Sequence, residues 1–249
     1  MQKSISGLYP GTKFLGALFL GITAFIVPTY WYSIGAFLAC VVIAFAAGIG
    51  GKYLRTVRNT LLVLAIFMFA IRTLFGGGEQ VLWQWGNLRV TVESITTATT
   101  IVTAILALGA ALLLFFILTP VKDITAALEN AGMAPSATYV VLSAIQMIPE
   151  MRKQSATIMD AQKTRGVETE GRLLTRMKAF VPTLGPLVLS SIASTEERVI
   201  TLESRAFTAP VAKTRLYVVE KRRRDIVIQI VLIALFVLII AGRIALWLL

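Results

Sequence analysis

Two arginines stand in the most specific pattern of this chain. They lie forty positions apart, in Thr164-Arg165-Gly166 and Ser204-Arg205-Ala206, each between a small hydroxyl residue and a small residue. Ahead of each comes a charged stretch of helical character, and ahead of that an apolar stretch marked by proline: Pro149 in the first case, Pro182 and Pro186 in the second. A guanidinium is planar, permanently charged and rich in directed donors, so its chemistry is recognition of carboxylates and carbonyls rather than proton transfer. One arginine near a helix C-terminus is accounted for by the macrodipole. Two, in the same setting twice, make a repeated pattern.

Other chemistry is missing. The chain has no histidine, which removes imidazole metal sites and every Ser-His or Cys-His relay. Its single cysteine, Cys40, sits inside an apolar run and has no partner for an internal disulfide. The nearest approach to a phosphate-binding loop is Gly50-Gly51-Lys52-Tyr53, where Ala46 takes the first glycine position and Tyr53 replaces the metal-binding hydroxyl. No catalytic residue, metal ligand or bound cofactor is therefore expected, and the chain is expected not to be an enzyme. The net charge of +11 could suit nucleic acid, but the cations are mixed with carboxylates or placed beside apolar runs, so topology explains them more simply.

The elements that must position the two arginines are membrane helices. Apolar residues make up 57% of the chain and mean hydropathy is +0.79, which excludes an ordinary soluble domain. Ile101 to Leu118 is interrupted by Thr103 alone as a polar residue, and Ile226 to Leu249 by Gln229 and Arg243. Such runs are long enough to cross a bilayer as helices, in which every backbone polar group is satisfied internally. The fold class is an all-α membrane protein of about five spans, with a cytoplasmic helical domain inserted before the last.

Three parts follow. Residues 1–118 hold four spans, near 14–30, 32–50, 57–75 and 95–118. The first two are divided at Pro28-Thr29-Tyr30-Trp31-Tyr32, an interfacial turn, and small residues at Ala44, Ala47, Gly48 and Gly51 suit close helix packing. Lys52, Arg55 and Arg58 place the following loop in the cytoplasm, which puts the N-terminus inside and the Trp83/Trp85 loop outside. Arg72 then falls at the outer end of a span. Residues 119–225 hold 16 of the 24 Lys and Arg and 11 of the 13 Asp and Glu, so this part belongs in or against cytoplasmic water. It begins with Thr119-Pro120 as cap and first helical residue, breaks near Gly132 to Pro135, and runs as helices apolar on one face and charged on the other. Gly166 is placed to end its first charged helix. Residues 226–249 are a last span, anchored by Lys221, Arg222, Arg223 and Arg224 beside anionic lipid.

The two arginine segments resemble the signatures of the transmembrane T component (EcfT-like) of energy-coupling factor (ECF) ABC transporters, which import vitamins and transition metals. Ile148-Pro149 with Asp160 to Gly166 is similar to the first signature. Pro186-Leu187, Thr195-Glu196-Glu197 and Leu202-Glu203-Ser204-Arg205-Ala206-Phe207 are similar to the second. The family pattern centres on Ala-Arg-Gly; here Thr164 and Ser204 replace the alanine, Ala206 replaces the second glycine, and Gln146 stands where arginine is common. The resemblance implies a non-catalytic subunit of the prokaryotic plasma membrane, between two ABC-type ATPase subunits and a small substrate-binding integral membrane subunit. ATP would be bound by the partners. It also implies that Arg165 and Arg205, with Thr164, Gly166, Glu203, Ser204 and Ala206, form the ATPase-docking ends. Two other expectations are compatible with the residues: a membrane scaffold recruiting an unrelated soluble partner, and a self-contained permease using Arg72.

Overall fold

We describe residues 7–85, 88–168, 173–209, 211 and 219–248 in a computed structural model of the chain. They form eight helices and one two-stranded hairpin, an all-α membrane protein as the apolar runs require. Two compact units result, one of Met1–Ala131 with Val219–Leu249, the other of Gly132–Val218.

In the first unit, helices α1 (Pro10–Ile26), α2 (Tyr30–Ala46) and α3 (Gly50–Leu74) pack around α4 (Val92–Leu118). Helix α4 serves as the hub because its buried face is small: Ala98, Ala104, Ala107, Ala110 and Ala111 are each no more than 3% exposed. Small side chains let helix backbones approach closely, where van der Waals contact replaces the hydrophobic drive that lipid does not supply. A Cβ on Gly21 of α1 would collide with Leu108, so that crossing depends on glycine. Tyr53 of α3, fully buried, donates its hydroxyl to the Ala110 carbonyl at 3.0 Å.

By length and composition, three helices can cross a membrane: α3, α4, and α8 (Arg223–Leu248) over Arg223–Ala245. Helices α1 and α2 are apolar but have 17 residues each, roughly 25 Å at 1.5 Å per residue and at the lower limit for a span. From Val63 to Leu74 no residue of α3 is buried, and in the described part of α8 only Asp225 is; lipid covers such faces in an integral membrane protein.

Several boundaries differ from the sequence expectation, each for a local reason. Helix α2 ends at Ala46 because Gly48 takes a φ of 75°, with Gly48 N–H bonded to Phe45 O and Ile49 N–H to Ala44 O. Gly48 therefore terminates a helix rather than packing within one. The segment expected as a loop forms β1 (Val81–Trp85) and β2 (Leu88–Thr91), antiparallel with a bulge near Val81, as its aromatic and β-branched residues favour. Thr91 and Ser94 cap each other's backbone N–H, so α4 starts at Val92 and not at 95. Thr119 caps nothing. It is extended ahead of proline and closes α4, while Pro120 is itself the N-cap of α5 (Val121–Asn130).

A polar cluster ties the ends of this unit together. Asp225, 2% exposed, accepts Tyr9 N–H and Arg222 N–H, both at 3.0 Å. Tyr9 donates its hydroxyl to Ala127 O at 3.2 Å, and Gln229 donates to Thr12 Oγ1 at 3.0 Å. One carboxylate thus joins the start of α8 to the start of α1.

The second unit is a pair of long helices, α6 (Pro135–Thr164) and α7 (Leu173–Ser204). The prolines that mark the apolar stretches lie inside these helices: α6 continues through Pro149 and α7 through Pro182 and Pro186. A helical proline forfeits one hydrogen bond and crowds the preceding turn, a local penalty that packing between the two helices overrides.

Candidate functional site

Successive contacts between α6 and α7 fix their relative direction. The Tyr139 and Phe207 rings are 5.3 Å apart, Arg198 Nη2 is 2.8 Å from Glu150 Oε2, and Thr183 Oγ1 is 4.0 Å from Met159 Sδ. As the residue number rises on one helix it falls on the other, so the pair is antiparallel. Arg165 and Arg205 consequently stand at opposite ends of it. The position on α7 level with Arg165 falls near residue 182, which leaves ~35 Å of helix between the arginines.

The two ends share one backbone geometry. At the end of α6, Arg165 is the C-cap and Gly166 follows with φ 83°. Gly166 N–H bonds Lys163 O at 3.0 Å, and Val167 N–H bonds Gln162 O at 3.1 Å. At the end of α7, Ala206 takes φ 55°, Ala206 N–H bonds Glu203 O at 2.9 Å, and Phe207 N–H bonds Leu202 O at 3.0 Å. Both are Schellman terminations, in which the left-handed residue lets two N–H groups reach back to otherwise orphaned carbonyls. The three-residue motif spells out the last helical residue, the cap and the left-handed residue.

The hydroxyl residues have a matching role. In each final turn the arginine N–H bonds three residues back, Arg165 to Gln162 O and Arg205 to Leu202 O. That turns it away from the carbonyl four residues back. Thr164 Oγ1 donates to this carbonyl, Ala161 O, at 2.8 Å, and Ser204 Oγ donates to its equivalent, Thr201 O, at 2.9 Å. Thr164 and Ser204 thus complete the hydrogen bonding of a tightened turn.

Both arginines are exposed, and among the described residues neither guanidinium forms an ion pair. Glu203 is exposed beside the second end. Each arginine is held on a fixed backbone with its side chain turned to solvent. Sequence reasoning missed the Glu150–Arg198 pair and the Tyr139–Phe207 contact, which join positions 48 and 68 residues apart and carry no local signal. Between the ends the helices expose apolar stripes: Val141, Ile145 and Ile148 on α6, and Val181, Leu184 and Val188 on α7.

Elsewhere, Lys221, Arg222, Arg223 and Arg224 are all exposed, with Arg223 opening α8. Arg72 lies exposed in the last turn of α3.

Such a molecule is a helical integral membrane protein that carries, on a separate helix pair, two like-built arginine ends. Comparison with known proteins gives this class a family. The CbiQ cobalt transport protein family matches residues 1–216, and the chain belongs to it. Curated relatives are named energy-coupling factor transporter transmembrane protein EcfT. That of Ruminiclostridium cellulolyticum is 26% identical over 230 residues, covering 88% of this chain and 85% of the relative. That of Lacticaseibacillus paracasei is 28% identical over 228 residues (88% and 86%), and that of Acidaminococcus fermentans 26% over 249 residues (96% and 92%). The chain is a transmembrane energy-coupling component of the ECF transporter type.

Proposed function

We propose that this chain transmits ATP-driven motion from two cytoplasmic ABC-type ATPase subunits to a small substrate-binding membrane subunit, for uptake of a vitamin or transition metal. The chain itself is non-catalytic and ATP binds to its partners. Arg165 docks in a groove of one ATPase and Arg205 in a groove of the other. Thr164, Gly166, Glu203, Ser204 and Ala206 shape the two ends.

The observation that carries this reading is the repeated termination. Two separate helices present an arginine, without an ion pair among the described residues, on the same left-handed termination, ~35 Å apart along an antiparallel pair. One groove cannot hold both, whereas two equivalent subunits can take one each. When ATP draws the ATPases together, rigid helices carry the displacement to the exposed apolar stripes, which seat the substrate-binding subunit.

Charge reversal tests it. A groove shaped for guanidinium would face a carboxylate, and losing one partner of a buried charged pair costs about 2–5 kcal/mol, roughly 30- to several-thousand-fold in affinity. Arg165→Glu and Arg205→Glu should each reduce ATPase capture in a detergent pull-down and lower uptake. The double variant should abolish capture, because the remaining grip is lost with its avidity. Arg172 and Lys213, expected on solvated faces, lie outside the described residues; exposed Arg152→Glu serves as the control and should change little. Full assembly and transport in the double variant would overturn the assignment.

A further inference from the structure

Within the first unit, α1, α2, α4 and α8 border a cavity of about 310 Å³. Its wall is almost wholly apolar, formed by residues such as Leu20, Cys40, Leu114, Ile228 and Leu232, and its polar side chains, Thr12 and Lys13, lie toward one end. An engineered apolar cavity of about 150 Å³ stays dry and takes up benzene, so a larger one suits a longer hydrocarbon. Along α1 the lining runs from Thr12 to Leu20, ~12 Å of helix, with Leu8 just ahead of it, against a hydrocarbon core about 30 Å thick.

The polar end of the cavity is positively charged. Lys13 donates to Leu118 O at 3.3 Å, and Lys221 Nζ lies 6.0 Å from the centre of the Tyr9 ring, next to lining residue Leu8. Arg222, Arg223 and Arg224 follow, all exposed. Of the carboxylates there, Asp123 acts on Lys13, and Asp225 is buried with its oxygens engaged by Tyr9 and Arg222 N–H. Exposed Glu220, next to Lys221, offsets one of the four cations, so the run from Glu220 to Arg224 keeps a net charge of +3.

We propose that this cavity is a binding site for an anionic phospholipid, with one acyl chain between α1, α4 and α8 and the headgroup phosphate on Lys221, Arg222 and Arg224. The cavity opens on the bundle surface, where α8 is exposed to the bilayer, so a lipid enters sideways without unfolding the bundle. Basic clusters at the ends of membrane helices attract anionic headgroups, and a zwitterionic lipid gains no net attraction there.

Native mass spectrometry of the full chain in detergent tests this, with phosphatidylglycerol and phosphatidylcholine of identical chains and, in a third arm, inorganic phosphate as competitor. Gly16→Phe fills the cavity: a Cβ at Gly16 meets only Leu232 Cδ1, at 3.9 Å, so the added ring enters open space. Phosphatidylglycerol should bind at least tenfold more tightly than phosphatidylcholine, and inorganic phosphate should not displace it. Gly16→Phe should weaken phosphatidylglycerol binding at least tenfold at an unchanged melting temperature. Arg222→Gln with Arg224→Gln should erase the preference between the two lipids. If Gly16→Phe melts early, Ile228→Trp fills the same space from the exposed side of α8 and should produce the same loss. Equal affinity for the two lipids, displacement by phosphate, or unchanged binding in a folded cavity-filling variant would each overturn the proposal.

Discussion

Ala206→Gly is expected to stabilise the second arginine end. Ala206 is the one described residue other than glycine with positive φ, at 55°, in the position that Gly166 fills at 83° on the first helix. The left-handed conformation costs an L-residue with a Cβ about 1–2 kcal/mol. Glycine removes that cost but gives the unfolded segment more freedom, an opposing effect of about 0.4–1 kcal/mol. The net is about 1 kcal/mol in favour of glycine, roughly fivefold in the local opening equilibrium. Gly166→Ala should shift the first end by a similar factor in the opposite direction. Hydrogen-exchange mass spectrometry reads both directly, because the amides of residues 206 and 207, like those of 166 and 167, make the capping bonds. Exchange over 203–209 should slow about fivefold in Ala206→Gly, and exchange over 162–168 should quicken about fivefold in Gly166→Ala, each leaving the other end unchanged. Unchanged or faster exchange in Ala206→Gly would refute the strained-cap account.

Two further outcomes are expected. Asp225→Ala removes a buried acceptor of two backbone N–H groups, and at about 1.5–3 kcal/mol for a hydrogen bond to a charged group it should lower the melting temperature in detergent clearly more than Asp225→Asn, which keeps one oxygen. In intact cells, an impermeant thiol reagent should label a cysteine at exposed Gly77 and spare one at exposed Asp160. The native Cys40 is fully buried and should stay silent, and the reverse labelling pattern would invert the topology.

Membrane class, the apolar runs and the pair of arginine motifs were legible in the sequence because each is a local property: length, hydropathy, or a residue type at a fixed offset. Gly166 as a helix terminator was legible for the same reason, since glycine is the residue that enters the left-handed region most freely. Ala206 in the same role was not, because alanine carries no such signal. Its conformation is imposed by a helix that must stop beside Phe207, itself packed on Tyr139. A proline penalises a helix interior locally, and contacts between α6 and α7 keep both helices whole through Pro149, Pro182 and Pro186. The antiparallel pairing sends Arg165 and Arg205 to opposite ends, and Asp225 leaves a basic run to be buried against Tyr9. Both depend on residues dozens or hundreds of positions apart. Only packing of the folded chain brings such groups within a few ångströms, and so only the tertiary structure decided them.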